Sequence, residues 1–92
     1  MVSAFVLINA EASKIALLGE AIGAIDGVVE AHSVAGDEDL VVLIRSDDHE
    51  GIARIVTEGI VQLDGIISTR TLISFRAYSR ADLDAAYEGF GD

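Results

Sequence analysis

The chain has 92 residues, of which 16 are acidic and 6 are basic, so its formal net charge is −10. This length is enough for one folded domain and too short for two. The negative charge repels phosphate backbones and anionic lipid surfaces, which disfavours direct binding to nucleic acid or to membranes. The absence of cysteine removes disulfides and thiolate ligands, and with two histidines the sequence predicts no metal site and no cofactor.

Apolar residues make up 51% of the chain, which is a high share for a domain with so little interior. We therefore expect part of the apolar surface to contact a partner. The apolar segment at residues 2–8 lacks a basic region and a cleavage site and is too short to cross a bilayer. It is interpreted as a core strand of a cytoplasmic protein.

Six segments of the chain carry the periodicity of regular structure. Short β-branched runs alternate with segments in which apolar residues recur at helical spacing, as at Leu18, Ile22 and Ile25. Asn9 is predicted to end the first strand, and Asp47 followed by Glu50 resembles a capping box at the start of the second helix. In chain order the predicted elements are a strand at 2–8, a helix at 14–25, strands at 28–35 and 40–45, a helix at 48–63 and a strand at 66–75.

A weak internal repeat relates the two halves of the chain. The segments 18–28 and 56–66 match at a spacing of 38 residues, and each contains an Asp-Gly turn, at Asp26-Gly27 and at Asp64-Gly65. Two copies of strand, helix and strand give the βαββαβ order of a ferredoxin-like α+β fold. Right-handed crossovers place both helices on one face of a four-stranded antiparallel sheet.

In the first, third and fourth strands, both alternating sets of residues are apolar, so both faces of the sheet are apolar. The face that the helices do not cover therefore needs another cover. A second copy of the same sheet is the simplest cover, and it predicts a dimeric α/β-barrel-type assembly. The competing cover is the C-terminal segment folding back. We expect a ligand-binding domain at residues 1–75 and an acidic tail with a possible short helix at residues 76–92.

Four segments together resemble one known family. They are the opening strand 4–8, the turn and strand 26–31, the loop 36–40 and the closing strand 67–73. In this order they resemble the RAM domain (regulation of amino acid metabolism), which is the effector-binding part of Lrp/AsnC transcriptional regulators. Family members place a helix-turn-helix before this domain, whereas here the first strand follows Met1 directly.

The resemblance implies a stand-alone effector-binding and oligomerisation module in the regulation of amino-acid metabolism that does not bind DNA itself. It implies sheet-to-sheet homodimers that associate into tetramers to octamers, with an amino acid bound where dimers meet. Full-length Lrp/AsnC regulators sharing the sheet are possible partners. No enzyme activity and no catalytic residue is implied.

The predicted ligand contacts lie in two segments. In the loop, the Gly36 backbone would approach the ligand and the Asp39 carboxylate would accept from an α-ammonium group, with Leu40 beside them. In the fourth strand the hydroxyls of Ser68, Thr69 and Thr71 would supply further hydrogen bonds, while Arg70 would serve as an ion-pair partner. The alternative is that the loop is an ordinary turn and that the hydroxyls make only cross-strand pairs.

Two other functions use the same fold. One is a small dimeric α+β-barrel enzyme such as a cofactor-independent monooxygenase, which would need polar catalytic groups between sheet and helices. His32 is the one obvious candidate in the sequence, and a satisfied structural histidine is the simpler interpretation. The other is a purely structural oligomer without a ligand.

Overall fold

The computed structural model describes residues 1–80. The short helix predicted in the tail, at residues 81–87, lies outside the described residues. The elements are β1 (Val2–Ala10), a 3-10 turn (Ala12–Lys14), α1 (Ile15–Gly23), β2 (Val28–Ser33), β3 (Leu40–Ser46), α2 (His49–Arg54) with a π-helical turn (Ile55–Gly59) and a 3-10 turn (Ile60–Gln62), and β4 (Ile66–Ser74).

The four strands form one antiparallel sheet in the order β2-β3-β1-β4. Each half of the chain contributes one central and one edge strand, because β1 pairs with β3 in the middle of the sheet. This is the ferredoxin-like α+β fold predicted from the repeat, so the predicted fold class is confirmed.

The helices cover one face of the sheet and form the core with it. Every second residue of β1 points toward the helices, and its partners on β3 do the same. The buried apolar cluster consists of Ala4, Val6, Ile8, Ala10, Leu18, Ile22, Leu40, Val42, Ile44, Ile52 and Ile60. Because α1 and the second helical segment both contribute to this single cluster, both helices lie on the same face.

The first strand continues two residues beyond its predicted end. Asn9 pairs with Ser68 of β4, and its side-chain amide donates to the Ser68 hydroxyl at 3.3 Å. The prediction that Asn9 ends the strand was therefore wrong. Asn is disfavoured in strands on average, and here a cross-strand hydrogen bond offsets that preference.

The second helical segment begins one residue later than the capping-box pattern indicated. The Asp48 carboxylate, not that of Asp47, accepts from the Gly51 backbone N–H at 2.8 Å. Asp48 has an extended backbone, as an N-cap residue should. Gly51 also packs closely, since a Cβ atom there would lie 1.7 Å from the Ser46 hydroxyl oxygen.

The two Asp-Gly turns of the repeat have the same conformation. Gly27 and Gly65 have φ angles of 95° and 104°, in the left-handed region that favours glycine. The Gly27 carbonyl accepts from the Arg45 N–H at 2.8 Å, and the Gly65 carbonyl accepts from the Glu11 N–H at 2.9 Å. The first turn therefore ties the end of a helical segment to the central strand β3, and the second ties one to the residue that directly follows β1.

Replacing Gly27 by Ala tests this role of the turn. A Cβ atom would lie 2.5 Å from the Ile55 Cδ1 atom in a conformation that L-residues rarely adopt. We expect Gly27→Ala to lower the free energy of unfolding by at least about 1–2 kcal/mol, measured by urea denaturation. Gly23→Ala is the matched control, because a Cβ atom there meets no described atom within 4 Å. A Gly27→Ala chain as stable as Gly23→Ala would contradict the requirement for glycine.

The second face of the sheet is not covered by any described element, and we call it the open face. Its centre is apolar, with Phe5 on β1 between Leu43 on β3 and Leu72 on β4. Polar groups surround this centre. They are Ser3 and Asn9 on β1, Glu30 and His32 on β2, Arg45 on β3, and Ser68 and Arg70 on β4.

Candidate functional site

The loop between β2 and β3 is fixed to the end of β1 through Asp39. The Asp39 carboxylate accepts from the Ala10 N–H at 2.9 Å, and its backbone N–H donates to the Ile8 carbonyl at 2.9 Å. Its own carbonyl accepts from the Val34 N–H at 3.0 Å. Asp39 is half-buried; its Oδ2 atom accepts from Ala10, and its Oδ1 atom has no hydrogen-bond partner among the described residues.

The other two predicted loop residues lie in different surroundings. Gly36 is exposed, and a Cβ atom added there would meet no described atom within 4 Å. The space beside its backbone is open. Leu40 is 1% exposed and belongs to the core, where it lies near Gly19 of α1. A contact from Leu40 to a ligand would therefore have to come from its backbone.

The polar residues of β4 divide between the two faces of the sheet. Thr69 pairs with Ile8 and Thr71 with Val6, so both threonines lie on the helix-covered side. Ser68 and Arg70 lie on the open face. This division follows the strand parity of the sequence. Since β4 is an edge strand, Thr71 remains exposed although its face carries the helices.

An ion pair joins the loop to β4 within one chain. The Arg70 guanidinium donates to the Glu38 carboxylate at 2.8 Å. The Arg70 side chain is 67% exposed and that of Glu38 is 24% exposed. The loop thus crosses the end of β1 and contacts the polar segment of β4. We call this arrangement of the loop 36–39, the end of β1 and the segment 68–71 the loop corner.

A second ion pair lies just beyond the end of β1. Lys14 pairs with Asp64 of the second Asp-Gly turn and lies 3.6 Å from the Glu11 carboxylate. The hydrogen bond and the charge of Lys14 lower the pKa of Asp64, and the same hydrogen bond raises the pKa of Lys14. This lysine is therefore already paired with two acids.

Two clefts of the described chain lie away from the loop corner. One, of about 350 Å³, is at the opposite end of the strands and is lined by Asp26, Arg45, Asp47 and Arg54 among others. The other, of about 440 Å³, lies beside Phe5, Leu72 and Phe75 at the edge of the open face. Within residues 1–80, no three or more His, Asp or Glu side chains are grouped so as to hold a metal ion.

His32 lies on the open face and not between sheet and helices. Its Nε2 atom is 2.7 Å from the Glu30 carboxylate, and the side chain is more than half exposed. Among residues 1–80 the core contains no buried polar or charged side chain. In the same part of the chain, no helix is long and apolar enough to cross a membrane.

Glu38 is the residue of the loop corner that the sequence did not single out. It is one of three successive acids, at residues 37–39, and such a run in a loop is usually solvated. Its partner Arg70 was expected to form an ion pair, but with an unnamed residue. The sequence signal that could have indicated this ion pair is the opposite charge of the acidic loop at residues 36–40 and of Arg70 in the closing strand.

Comparison with known proteins identifies the family of this chain. The Lrp/AsnC ligand binding domain matches residues 3–83 of the chain. The uncharacterized HTH-type transcriptional regulator PH1916 of Pyrococcus horikoshii is 40% identical over 58 residues, which cover 63% of this chain and 39% of that protein. The chain thus spans about two fifths of the length of the curated relatives it matches.

Solved structures share the whole described fold. TTHA0845 from Thermus thermophilus superposes with a TM-score of 0.82 at 46% identity, over 87% of this chain and 100% of that one. The regulator NMB0573 from Neisseria meningitidis, solved as a complex with L-Met, has a TM-score of 0.74 over 86% of this chain and 53% of its own. At 12% identity the second likeness shows the fold alone. From the match over residues 3–83, the chain belongs to the Lrp/AsnC ligand-binding domain family.

Proposed function

We propose that this chain is a regulatory module that binds an amino acid, or a molecule of similar chemistry, at the loop corner. Binding is coupled to assembly of the chain into homodimers and higher oligomers, from tetramers to octamers. In this proposal the chain acts in the cytoplasm without contacting DNA, and full-length regulators of the family are possible partners. The observation that carries the proposal is the contact between the loop and β4, made by Glu38 and Arg70 at 2.8 Å.

The chemistry of the loop corner suits an α-amino acid. The ammonium group needs an acceptor, and one oxygen of the half-buried Asp39 carboxylate is not used by Ala10. The carboxylate needs donors; the exposed hydroxyl of Ser68 can supply one on the open face, or that of Thr71 on the helix-covered side of β4. Thr69 and the Gly36 backbone would complete the contacts. The L-Met complex of NMB0573 supports this choice of ligand class.

The open face supports the proposed assembly. Phe5 is 42% exposed and Leu72 is 48% exposed, and they are cross-strand partners on the open face. Covering apolar area contributes about 25 cal/mol per Å² removed from water. A second copy of the open face provides such a cover with the same residues on both sides of a twofold axis.

The two competing functions differ from this proposal in what they require. A monooxygenase-like enzyme requires polar groups between sheet and helices, whereas the described core is apolar and His32 lies on the open face. A purely structural oligomer requires no ligand. A thermal-shift screen with the twenty amino acids separates it from an effector-binding module.

In that screen, a ligand at a hundred times its Kd adds about 2.7 kcal/mol to the free energy of unfolding. For a domain of this size, the Tm should rise by at least about 10 °C. If none of the twenty amino acids raises the Tm, the structural oligomer is the better interpretation. If one does, its binding should also shift the assembly equilibrium, because binding and assembly are coupled reciprocally.

Substituting Asp39 tests the proposed ammonium contact. Losing a charge-assisted hydrogen bond typically costs about 1.5–3 kcal/mol, which is roughly a ten- to a hundredfold loss of affinity. Asp39→Ala also removes the acceptor of the Ala10 N–H, so we expect it to lower stability as well. Asp39→Asn removes the charge but keeps an oxygen that can accept from Ala10. We expect Asp39→Asn to lose affinity in calorimetry while its Tm stays close to that of the parent chain.

Asp37→Asn is the matched control, since Asp37 is an exposed acid of the same loop. It should change affinity by much less than Asp39→Asn. If Asp39→Asn binds the amino acid as tightly as the parent chain does, the ammonium contact is wrongly assigned and Asp39 serves only the turn.

A further inference from the structure

The guanidinium group of the loop corner already has a carboxylate partner from its own chain. Arg70 donates to Glu38 at 2.8 Å, and the Glu38 side chain is the less exposed of the two, at 24%. A ligand carboxylate that used Arg70 would have to displace Glu38 or share the guanidinium with it. Sharing brings two negative charges close together, which is unfavourable.

The position of Glu38 is set by its neighbour in the chain. Asp39 is held by three hydrogen bonds, to Ala10, Ile8 and Val34, at 2.9, 2.9 and 3.0 Å. The backbone next to Glu38 is therefore fixed, and its side chain loses less conformational freedom when it pairs with Arg70 than a side chain on a free loop would. An external carboxylate has to compete with a partner that is already in place.

No nearby lysine compensates for this pairing. Lys14, beyond the end of β1, pairs with Asp64 and also lies near Glu11. At the loop corner itself, the single positive charge of Arg70 faces Glu38, while Asp37 and Asp39 carry two further negative charges. A zwitterionic or cationic ligand fits this balance, and a ligand with an additional carboxylate does not.

We propose that Glu38 is a specificity-determining residue that excludes acidic ligands from the loop corner by occupying Arg70. This inference rests on the proposed function, because it concerns the same site. The ligand class is then the neutral and basic α-amino acids, and dicarboxylic amino acids are rejected. Removing the Glu38 charge frees the guanidinium for the side-chain carboxylate of a ligand.

The test is calorimetry with three probes, L-methionine, L-lysine and L-glutamate, on three chains: the parent, Glu38→Gln, and Glu38→Gln combined with Arg70→Gln. Glu38→Gln should strengthen the binding of L-glutamate relative to L-methionine by about ten- to a hundredfold, the range of one charge-assisted hydrogen bond. The double variant should lose this gain because it lacks the guanidinium. High salt should reduce the gain, since the loop corner is largely exposed.

The outcomes distinguish this inference from the proposed function. If Glu38→Gln keeps the parent Tm and binds L-methionine, but its preference between L-glutamate and L-methionine is unchanged, Glu38 does not set specificity and the effector site stands. A gain that persists in the double variant also overturns the role of Arg70. If the parent chain binds none of the three probes and no other amino acid, both proposals fail together.

Discussion

Phe5→Asp is expected to convert a dimer of this chain into a folded monomer. Phe5 lies near the centre of the open face, with Leu43 and Leu72 as its cross-strand partners. At 42% exposure, its side chain is not part of the core, so an aspartate there remains hydrated in the monomer. In a sheet-to-sheet dimer the same carboxylate would be buried without a partner, once in each copy, at a cost of several kcal/mol.

Sedimentation equilibrium at micromolar concentration measures this effect, and circular dichroism confirms that the variant is folded. Leu17→Asp is the matched control, because Leu17 is 69% exposed and lies on α1, away from the open face. It should leave the dimer intact. A parent chain that is a well-folded monomer, or a Phe5→Asp chain that still dimerises as the parent does, would contradict the proposed interface.

The fold could be predicted largely from the sequence because its signals are local and repeated. Leu18 and Ile22 gave the buried side of α1, and both are in the core. Asp26-Gly27 and Asp64-Gly65 gave the two turns that connect helix to strand, and both glycines have positive φ angles. Because the same order of helix, Asp-Gly turn and strand occurs twice, one simple topology accounts for the chain.

The deviations arose where a distant contact changed a local preference, or where neighbouring residues competed for the same role. Asn9 extends β1 because Ser68, 59 residues away, accepts its hydrogen bond. The second helical segment begins at His49 because Asp48, rather than Asp47, can reach the Gly51 N–H. The strand pattern at residues 34–35 did not continue β2, whose last residue is Ser33. Such competition between adjacent groups cannot be decided from residue types alone.

The loop corner was predictable in part, for the same reason. Strand parity was enough to separate Ser68 and Arg70 from Thr69 and Thr71. The sequence could not show that Asp39 binds the Ala10 N–H, since that bond depends on how the β2–β3 loop crosses the end of β1. Nor could it show which of three successive acids pairs with Arg70. Predicting a side-chain contact between a loop and a strand 32 residues away requires knowledge of the register of the sheet.

The two faces of the sheet can be tested at adjacent positions of β3. The sequence predicts that aspartate at either Val42 or Leu43 costs several kcal/mol, since both parities of this strand are apolar. In the structure Val42 is 0% exposed, beneath the helices, while Leu43 is half-buried on the open face. We therefore expect Val42→Asp to unfold the chain, because a buried unpaired charge consumes most of the about 5–15 kcal/mol that stabilises a domain.

Leu43→Asp should remove the dimer, whereas Val42→Asp should remove the fold. Its carboxylate can stay in water in the monomer, so we expect a cooperative thermal transition but a loss of the dimer, as for Phe5→Asp. Circular dichroism and sedimentation on the two variants measure fold and assembly separately. A Val42→Asp chain that folds would contradict the assignment of the core to the Val42 face of β3. A Leu43→Asp chain that unfolds completely would mean that folding requires the second copy, because only an obligate dimer loses its fold with its interface.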